Sequence, residues 1–290
     1  MTITEGQVAA NDLEFSYLEV GTGPLALCLH GFPDSAWTYR FLLPALADAG
    51  YRAVAPFMRG YAPTPVPADG RYQTAALAVD ACALHDALGG DGDAVIIGHD
   101  WGALATYTAA NHEPERWRRV VTMAVPPSGA VAGGFLQYRQ LKKSWYMFFF
   151  QHGLADMVVG MDDLAFIDGL WADWSPGYDG TEDIAHVKDA LRDPANLAAA
   201  LGYYRATLGG VGVDPALAEV QAAGNEVTAQ PTLYLHGRTD GCMGVEIAEA
   251  SVPFLTAPGS RLEIVEGAGH FLHVEKPAAV NQLILDFVAG

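Results

Sequence analysis

Gly98-His99-Asp100-Trp101-Gly102 decides how this chain is read. The apolar run Ala94-Val95-Ile96-Ile97 precedes it, and the helix-like run Ala103-Leu104-Ala105-Thr106-Tyr107 follows. A strand, a tight turn flanked by glycines and a helix form the pattern G-x-Nuc-x-G, a nucleophile elbow. The glycines are needed because so sharp a turn leaves little room for side chains on either flank. The central residue is usually serine, which forms an acyl-enzyme from an ester or amide. Here it is Asp100, and a carboxylate can attack an sp³ carbon and become an alkyl ester. That shifts the expected electrophile toward epoxides or alkyl halides. An aspartate at a helix start also serves as an N-cap, but the paired glycines and the preceding strand favour the nucleophile. The helix N-terminus behind Asp100 is expected to keep it ionised.

Outward from this turn, strand-like runs recur at Leu13–Val20, Leu25–Leu29, Arg52–Ala55, Ala94–Ile97, Val120–Ala124, Thr232–Leu235 and Leu262–Val265. Helical patterns lie between most of them, at Ala36–Ala49, Gln73–Leu88, Ala103–Asn111 and Ala278–Phe287. Such alternation predicts an α/β class with a mostly parallel sheet and helices on both faces. Leu13-Glu14-Phe15-Ser16-Tyr17 alternates apolar and polar residues, as a half-buried antiparallel edge would. The alternation stops between about Ser128 and Gln230, where aromatic and helix-like segments dominate. The expected organisation is a core over 1–127, an inserted helical cap over 128–229 and the rest of the core over 230–290. Loops at the carboxyl ends of parallel strands build sites, so an insertion there would roof one.

The chain has 290 residues, enough for one large α/β domain with an insertion. Its formal net charge of −18 disfavours nucleic acid and anionic membrane as partners. No apolar run reaches the roughly 18 residues of a membrane span, and Met1–Gly6 lacks a basic start and an apolar signal core. Cys28, Cys82 and Cys242 are too few and scattered for a disulfide framework or a zinc site. Reduced thiols in a cytoplasmic protein are expected. Arg116-Trp117-Arg118-Arg119 is the densest basic cluster and reads as a solvated helix end.

An aspartyl ester needs a later partner to hydrolyse it, and the order for this layout is nucleophile, acid, histidine. Asp240 follows the strand Thr232–Leu235, and His270 follows Leu262–Val265 within Gly267-Ala268-Gly269-His270-Phe271. Nine histidines occur, and His270 is singled out by position and glycine neighbours. His99 and His236 are expected to pack beside the site, and His273 to lie one helical turn away. His30-Gly31-Phe32-Pro33 follows Leu25–Leu29 and reads either as an ordinary turn or as an oxyanion site. In the second reading the backbone N–H groups of Phe32 and Trp101 converge. Pro33 is a candidate cis residue.

His30-Gly31-Phe32-Pro33, Arg59-Gly60-Tyr61, Gly98–Gly102 and Gly269-His270-Phe271-Leu272-His273-Val274-Glu275-Lys276-Pro277 together resemble the α/β-hydrolase fold epoxide hydrolases. The resemblance runs over nearly the whole chain. It implies the α/β-hydrolase fold and two cap tyrosines that hold the epoxide oxygen. One matches Tyr146 in Ser144-Trp145-Tyr146, the other Tyr204 in Tyr203-Tyr204-Arg205. Without the resemblance both tyrosines read as aromatic core, and Tyr203 is the neighbour most easily confused with Tyr204. One departure is Phe57-Met58 before Arg59, where relatives often carry an Asp. That bears on support of the loop.

The implied function is opening of a small hydrophobic epoxide to a vicinal diol, with water as co-substrate and no metal or organic cofactor. Phe32, Trp101, Trp145 and Phe149, with Phe148 and Phe150, are expected to line an apolar pocket. The resemblance is compatible with a homodimer. A haloalkane dehalogenase would use the same nucleophile, with Trp101 as a halide donor; Phe32 removes the second donor usual at its position. Fluoroacetate dehalogenases typically carry Arg where this chain has Trp101, and serine esterases need a Gly-x-Ser-x-Gly that is absent. A non-catalytic ligand-binding homologue would bind without turnover.

Overall fold

A computed structural model describes residues 2–290. Eight strands form one sheet: β1 (Thr4–Ala10), β2 (Leu13–Val20), β3 (Leu25–Leu29), β4 (Arg52–Pro56), β5 (Val95–His99), β6 (Arg119–Met123), β7 (Thr232–Gly237) and β8 (Arg261–Val265). Their order is β1-β2-β4-β3-β5-β6-β7-β8. β1 and β2 run antiparallel to their neighbours, and all later pairs are parallel. The five residues of β3 and of β5 are all buried, as expected of central strands covered on both faces.

The helices are α1 (Leu42–Asp48), α2 (Thr74–Ala87), α3 (Trp101–His112), α4 (Ser128–Gly134), α5 (Tyr138–Lys143), α6 (Trp145–Phe149), α7 (Ala155–Trp174), α8 (Thr181–Leu191), α9 (Pro194–Gly209), α10 (Ala218–Ala223), α11 (Val245–Glu249), α12 (Leu272–Glu275) and α13 (Pro277–Ala289). Helices α4 to α10 occupy the stretch between β6 and β7, where no strand occurs. Two large apolar clusters lie on the two faces of the sheet. Leu27, Ile96 and Val120 belong to one; Ala26, Ile97 and Val121 belong to the other. This is the period-two alternation of strand side chains.

Two local expectations are corrected. β1 precedes β2 and forms the sheet edge, so Leu13–Val20 is antiparallel but not an edge. The turn between them is Asn11-Asp12, both at positive φ, as a tight two-residue hairpin turn requires. The segment Ala36–Ala49 is not one helix but a 3-10 turn at Ala36–Tyr39 followed by α1. Pro44 explains the break, since its ring would clash with the Arg40 carbonyl in a continuous helix. No helix among the described residues is long and apolar enough to cross a membrane.

Candidate active site

β3, β5, β7 and β8 deliver their following loops to one end of the sheet. In register, Leu29 of β3 pairs with Gly98 of β5, and Gly237 of β7 pairs with Val265 of β8. Asp100 sits in the turn from β5 into α3 with φ 54°, a strained conformation for a residue with a side chain. A Cβ on Gly98 would stand 2.2 Å from the Gly102 carbonyl oxygen, and one on Gly102 would stand 2.0 Å from that of Leu29. Backbone on both sides therefore excludes any side chain at either glycine.

Asp100 does not cap its helix with its side chain. Its Oδ1 instead accepts the Phe32 N–H at 2.8 Å. Gly31 leaves room for this contact: a Cβ there would meet Asp100 Oδ1 at 2.3 Å and the Trp101 nitrogen at 2.7 Å. The Phe32–Pro33 bond is cis. Oδ2 of Asp100 stands 3.6 Å from Nε2 of His270, and Nδ1 of His270 lies 3.0 Å from Oδ2 of Asp240. Asp240 Oδ1 accepts the N–H groups of Cys242 and Met243 at 2.6 and 2.9 Å. One helical-layer carbonyl ties both loops together: Trp174 O accepts from Gly241 N–H and His270 N–H, each at 3.0 Å.

These contacts set the charges. Burial opposes charge on His270, but Asp240 and Asp100 outweigh it and hold the imidazole up at about 10. Burial raises the Asp240 carboxyl, yet His270, His236 and the Met243 N–H reverse this and leave it below its usual range. His270 is therefore held protonated between the side chains of Asp100 and Asp240.

His99 and His236 pack beside the site. His99 donates Nε2–H to the His270 carbonyl at 3.0 Å. His236 donates Nε2–H to the Met243 carbonyl at 3.2 Å and lies 2.8 Å from the Tyr234 hydroxyl through Nδ1. Burial lowers its pKa, so it stays neutral. His273 is 2.5 Å from Thr38 Oγ1. Asp34, His99 and His273 form a buried cluster of ligand-type atoms, and Asp100, Cys242 and His270 form a second.

Tyr146 of α6 and Tyr204 of α9 face each other above Asp100, ring centroids 5.6 Å apart. Tyr204 also packs edge-on against Trp101 and Phe32 at 4.9 and 5.3 Å. Its hydroxyl is buried without a hydrogen-bond partner, while that of Tyr146 lies 3.2 Å from Cys242 Sγ. Burial pushes both phenols well above 10, with Cys242 and Asp100 adding to the effect, so both keep their protons. Tyr203 turns the other way and donates to the Arg59 carbonyl at 2.8 Å.

A cavity of about 540 Å³ opens over these groups. Asp100, Trp101, Tyr146 and Tyr204 line one part; Val131, Phe135, Met147, Phe148 and Leu208 make much of the rest apolar. Trp145 and Phe149 do not line it, which corrects the expected pocket set. Trp145 is 47% exposed on a separate surface hollow of about 710 Å³, which is the larger of the two but does not reach Asp100. Phe149 stacks on Phe166 at 5.8 Å. Helical spacing explains this: Tyr146 and Phe150 share the buried face of α6, and Trp145 and Phe149 share another. Phe32 is fully buried and acts through its N–H and its ring contact with Tyr204, not as exposed lining. Cys242 and Met147, which sequence patterns do not single out, do line the cavity.

The loop at Arg59 is also supported, though not by a residue immediately before it. Buried Arg59 pairs with Asp80 of α2 at 2.5 Å and donates to the Arg71 carbonyl at 2.6 Å. Asn196 of α9 donates to the Gly60 carbonyl at 2.8 Å. Tyr203 and Asn196 thus pin α9, and with it Tyr204, to this loop.

Residues 24–155 match the family model described as alpha/beta hydrolase fold. That match joins the sheet order and the elbow. This is an α/β-hydrolase-fold protein. The hydrolase-fold chain is 29% identical to the epoxide hydrolase of Caballeronia sordidicola, over 99% of this chain and 94% of that protein. It is equally 29% identical to the AB hydrolase superfamily protein YfhM of Bacillus subtilis, over 92% and 90%. Among solved structures, epoxide hydrolase A from Mycobacterium thermoresistibile superposes with a TM-score of 0.83 at 26% identity, covering 100% of this chain and 99% of that one.

Proposed function

We propose that this chain hydrolyses epoxides to vicinal diols through a covalent ester on Asp100. The observation that carries this reading is how the Asp100 carboxylate is held. Oδ1 is fixed by the Phe32 N–H, Oδ2 points toward His270, and two protonated phenols stand above. The named epoxide hydrolases among the relatives support the same chemistry.

In the first step Oδ2 of Asp100 bonds to a ring carbon and the ring C–O bond breaks. A phenol of Tyr146 or Tyr204 protonates the departing oxygen. Esterification removes the Asp100 charge, one of the causes that hold the His270 proton, and so makes that proton easier to give up. His270 gives up a proton that restores the phenol, and takes one back from the hydrolytic water. Asp240 keeps its ring oriented throughout. Water attacks the ester carbonyl carbon, and the charge on Oδ1 of the tetrahedral intermediate rests on the N–H groups of Phe32 and Trp101. One such donor is worth about 3 kcal/mol. The carbonyl carbon–Oδ2 bond then breaks, the alkoxide takes the proton of the added hydroxyl and leaves as the diol, and Asp100 is restored as a carboxylate.

Single turnover in ¹⁸O-water tests this reading. The first diol should carry unlabelled oxygen from Asp100, and the label should appear in the Asp100 peptide. Label in the first diol would overturn the ester route. A second reading, haloalkane dehalogenation, is favoured by one observation: the Trp101 indole N–H is buried without a partner and could hold a halide. Halide release from a haloalkane panel, with no diol from epoxides, would select it.

A further inference from the structure

Cys242 is a cavity thiol that the proposed reaction leaves unused. One carboxylate oxygen of Asp100, Sγ of Cys242 and a ring nitrogen of His270 all lie within 4.8 Å of one another. Nε2 of His270 is buried, lacks a hydrogen-bond partner and faces Oδ2 of Asp100 at 3.6 Å. Ligand atoms around tetrahedral zinc stand roughly 3.3–3.8 Å apart, given bond lengths near 2.0–2.3 Å. The Asp100–His270 spacing already fits, and the thiol needs to approach by at most about 1 Å.

Two further features suit a metal ion. Metal-binding histidines usually donate their other ring N–H to a carboxylate, which aims the free lone pair. His270 is held this way by Asp240 at 3.0 Å. Asp100 and Cys242 also line the cavity, so an ion has access from it.

We propose that Asp100, Cys242 and His270 form a binding site for a soft divalent cation, Zn²⁺ or Cd²⁺, that shuts the reaction site reversibly. On binding, the ion replaces the Cys242 thiol proton and the proton on Nε2 of His270, and both pass to solvent. It then occupies the carboxylate oxygen that would attack and the lone pair that would activate water. Binding is independent of which electrophile the site opens; only the inhibitory readout rests on the epoxide reading.

The test uses the full chain with Zn²⁺ and Cd²⁺ as probes. Equilibrium dialysis should give one ion per chain, and Cd²⁺ should produce an ultraviolet thiolate-to-metal band. Zn²⁺ should protect Cys242 from iodoacetamide in the unaltered protein, which needs no substitution. Cys242→Ser and Cys242→Ala should lose the band and bind roughly tenfold or more weakly, with folding checked by circular dichroism. Zn²⁺ should suppress diol formation, and a chelator should restore it. Inhibition is read as a ratio within each variant. No stoichiometric ion, an unprotected Cys242, or Cys242 variants that bind as tightly would each overturn the site. If only the epoxide reading fails, diol is absent throughout while the ion and its band remain.

Discussion

Nε2 of His270 stands 3.6 Å from Oδ2 of Asp100, and that nitrogen is buried without a hydrogen-bond partner. The spacing leaves His270 close enough to act on whatever becomes attached to Asp100. His270→Gln keeps a polar side chain but cannot serve as a base. It should form the alkyl ester and stall. Intact-protein mass spectrometry after epoxide addition should show a gain of one substrate mass, and turnover should fall by about 10²–10⁴-fold. A variant that stays unmodified and fully active would remove His270 from the reaction.

Tyr203 and Tyr204 are adjacent in α9 but have opposite tasks. Tyr204→Phe removes an unpartnered hydroxyl in the cavity and should lower the ring-opening rate by about 10²-fold, little affecting stability. Tyr203→Phe removes the bond to the Arg59 carbonyl and should cost about 1–3 kcal/mol of stability, with a smaller effect on turnover. Thermal melts and single-turnover rates on both variants separate the two roles. The reverse pattern would contradict the assignment.

What could be read from the chain depended on how local each constraint is. Asp100 was legible because its glycines are demanded by the turn itself, two residues to either side. Phe32, Asp240 and His270 were legible because each follows a strand that ends at the same sheet edge. The pocket wall was not. Which face of α6 turns inward depends on how α6 docks against α9, so Trp145 and Phe149 were expected in the cavity beside Phe148, where Met147 stands instead. Cys242 escaped notice because its neighbours Asp100 and His270 arrive from two other loops. Asp80 escaped because its pairing with Arg59 crosses from α2 to a loop. β1 was missed because six of its seven residues are exposed or only partly buried, which leaves no apolar pattern to read.

Gly31→Ala probes the space under the carboxylate. The added Cβ would overlap Asp100 Oδ1 at 2.3 Å and crowd the Trp101 nitrogen at 2.7 Å. Asp100 must then shift, and a displacement near 1 Å typically costs about 10²-fold in rate. Initial rates of diol formation in a variant with a native circular dichroism spectrum provide the check. Unchanged rates would mean the Phe32–Asp100 contact is not needed.

Asp80→Ala should be severe. It leaves the buried Arg59 guanidinium without its closest carboxylate, Asp69 at 3.4 Å being the one that remains. Breaking such a pair costs about 3–5 kcal/mol. The loop also anchors Tyr203 and Asn196, so the variant should weaken the seating of α9. Denaturant unfolding measures the first effect, and faster amide exchange in α9 reads the second. A stable variant with unchanged exchange would show that α9 is held elsewhere.

The histidines predict a stability maximum near neutral pH. Burial lowers the pKa of His30 to about 4, and lowers those of His236 and His273. As pH falls below about 6.5 the unfolded chain takes up protons there that the folded chain refuses, so stability falls with pH. Depression of the Asp240 pKa acts in the same direction at lower pH: its contribution is present above 3.8 and is lost as pH falls through the folded value. His270 has the opposite sign. Its pKa is raised to about 10, so its contribution is complete below 6.5 and disappears as pH rises through 10. The melting temperature should therefore decline on both sides of roughly pH 6.5. His270→Gln should remove much of the alkaline decline and leave the acid limb. An alkaline limb unchanged in that variant would mean that the charge of His270 between its two aspartates does not contribute to stability.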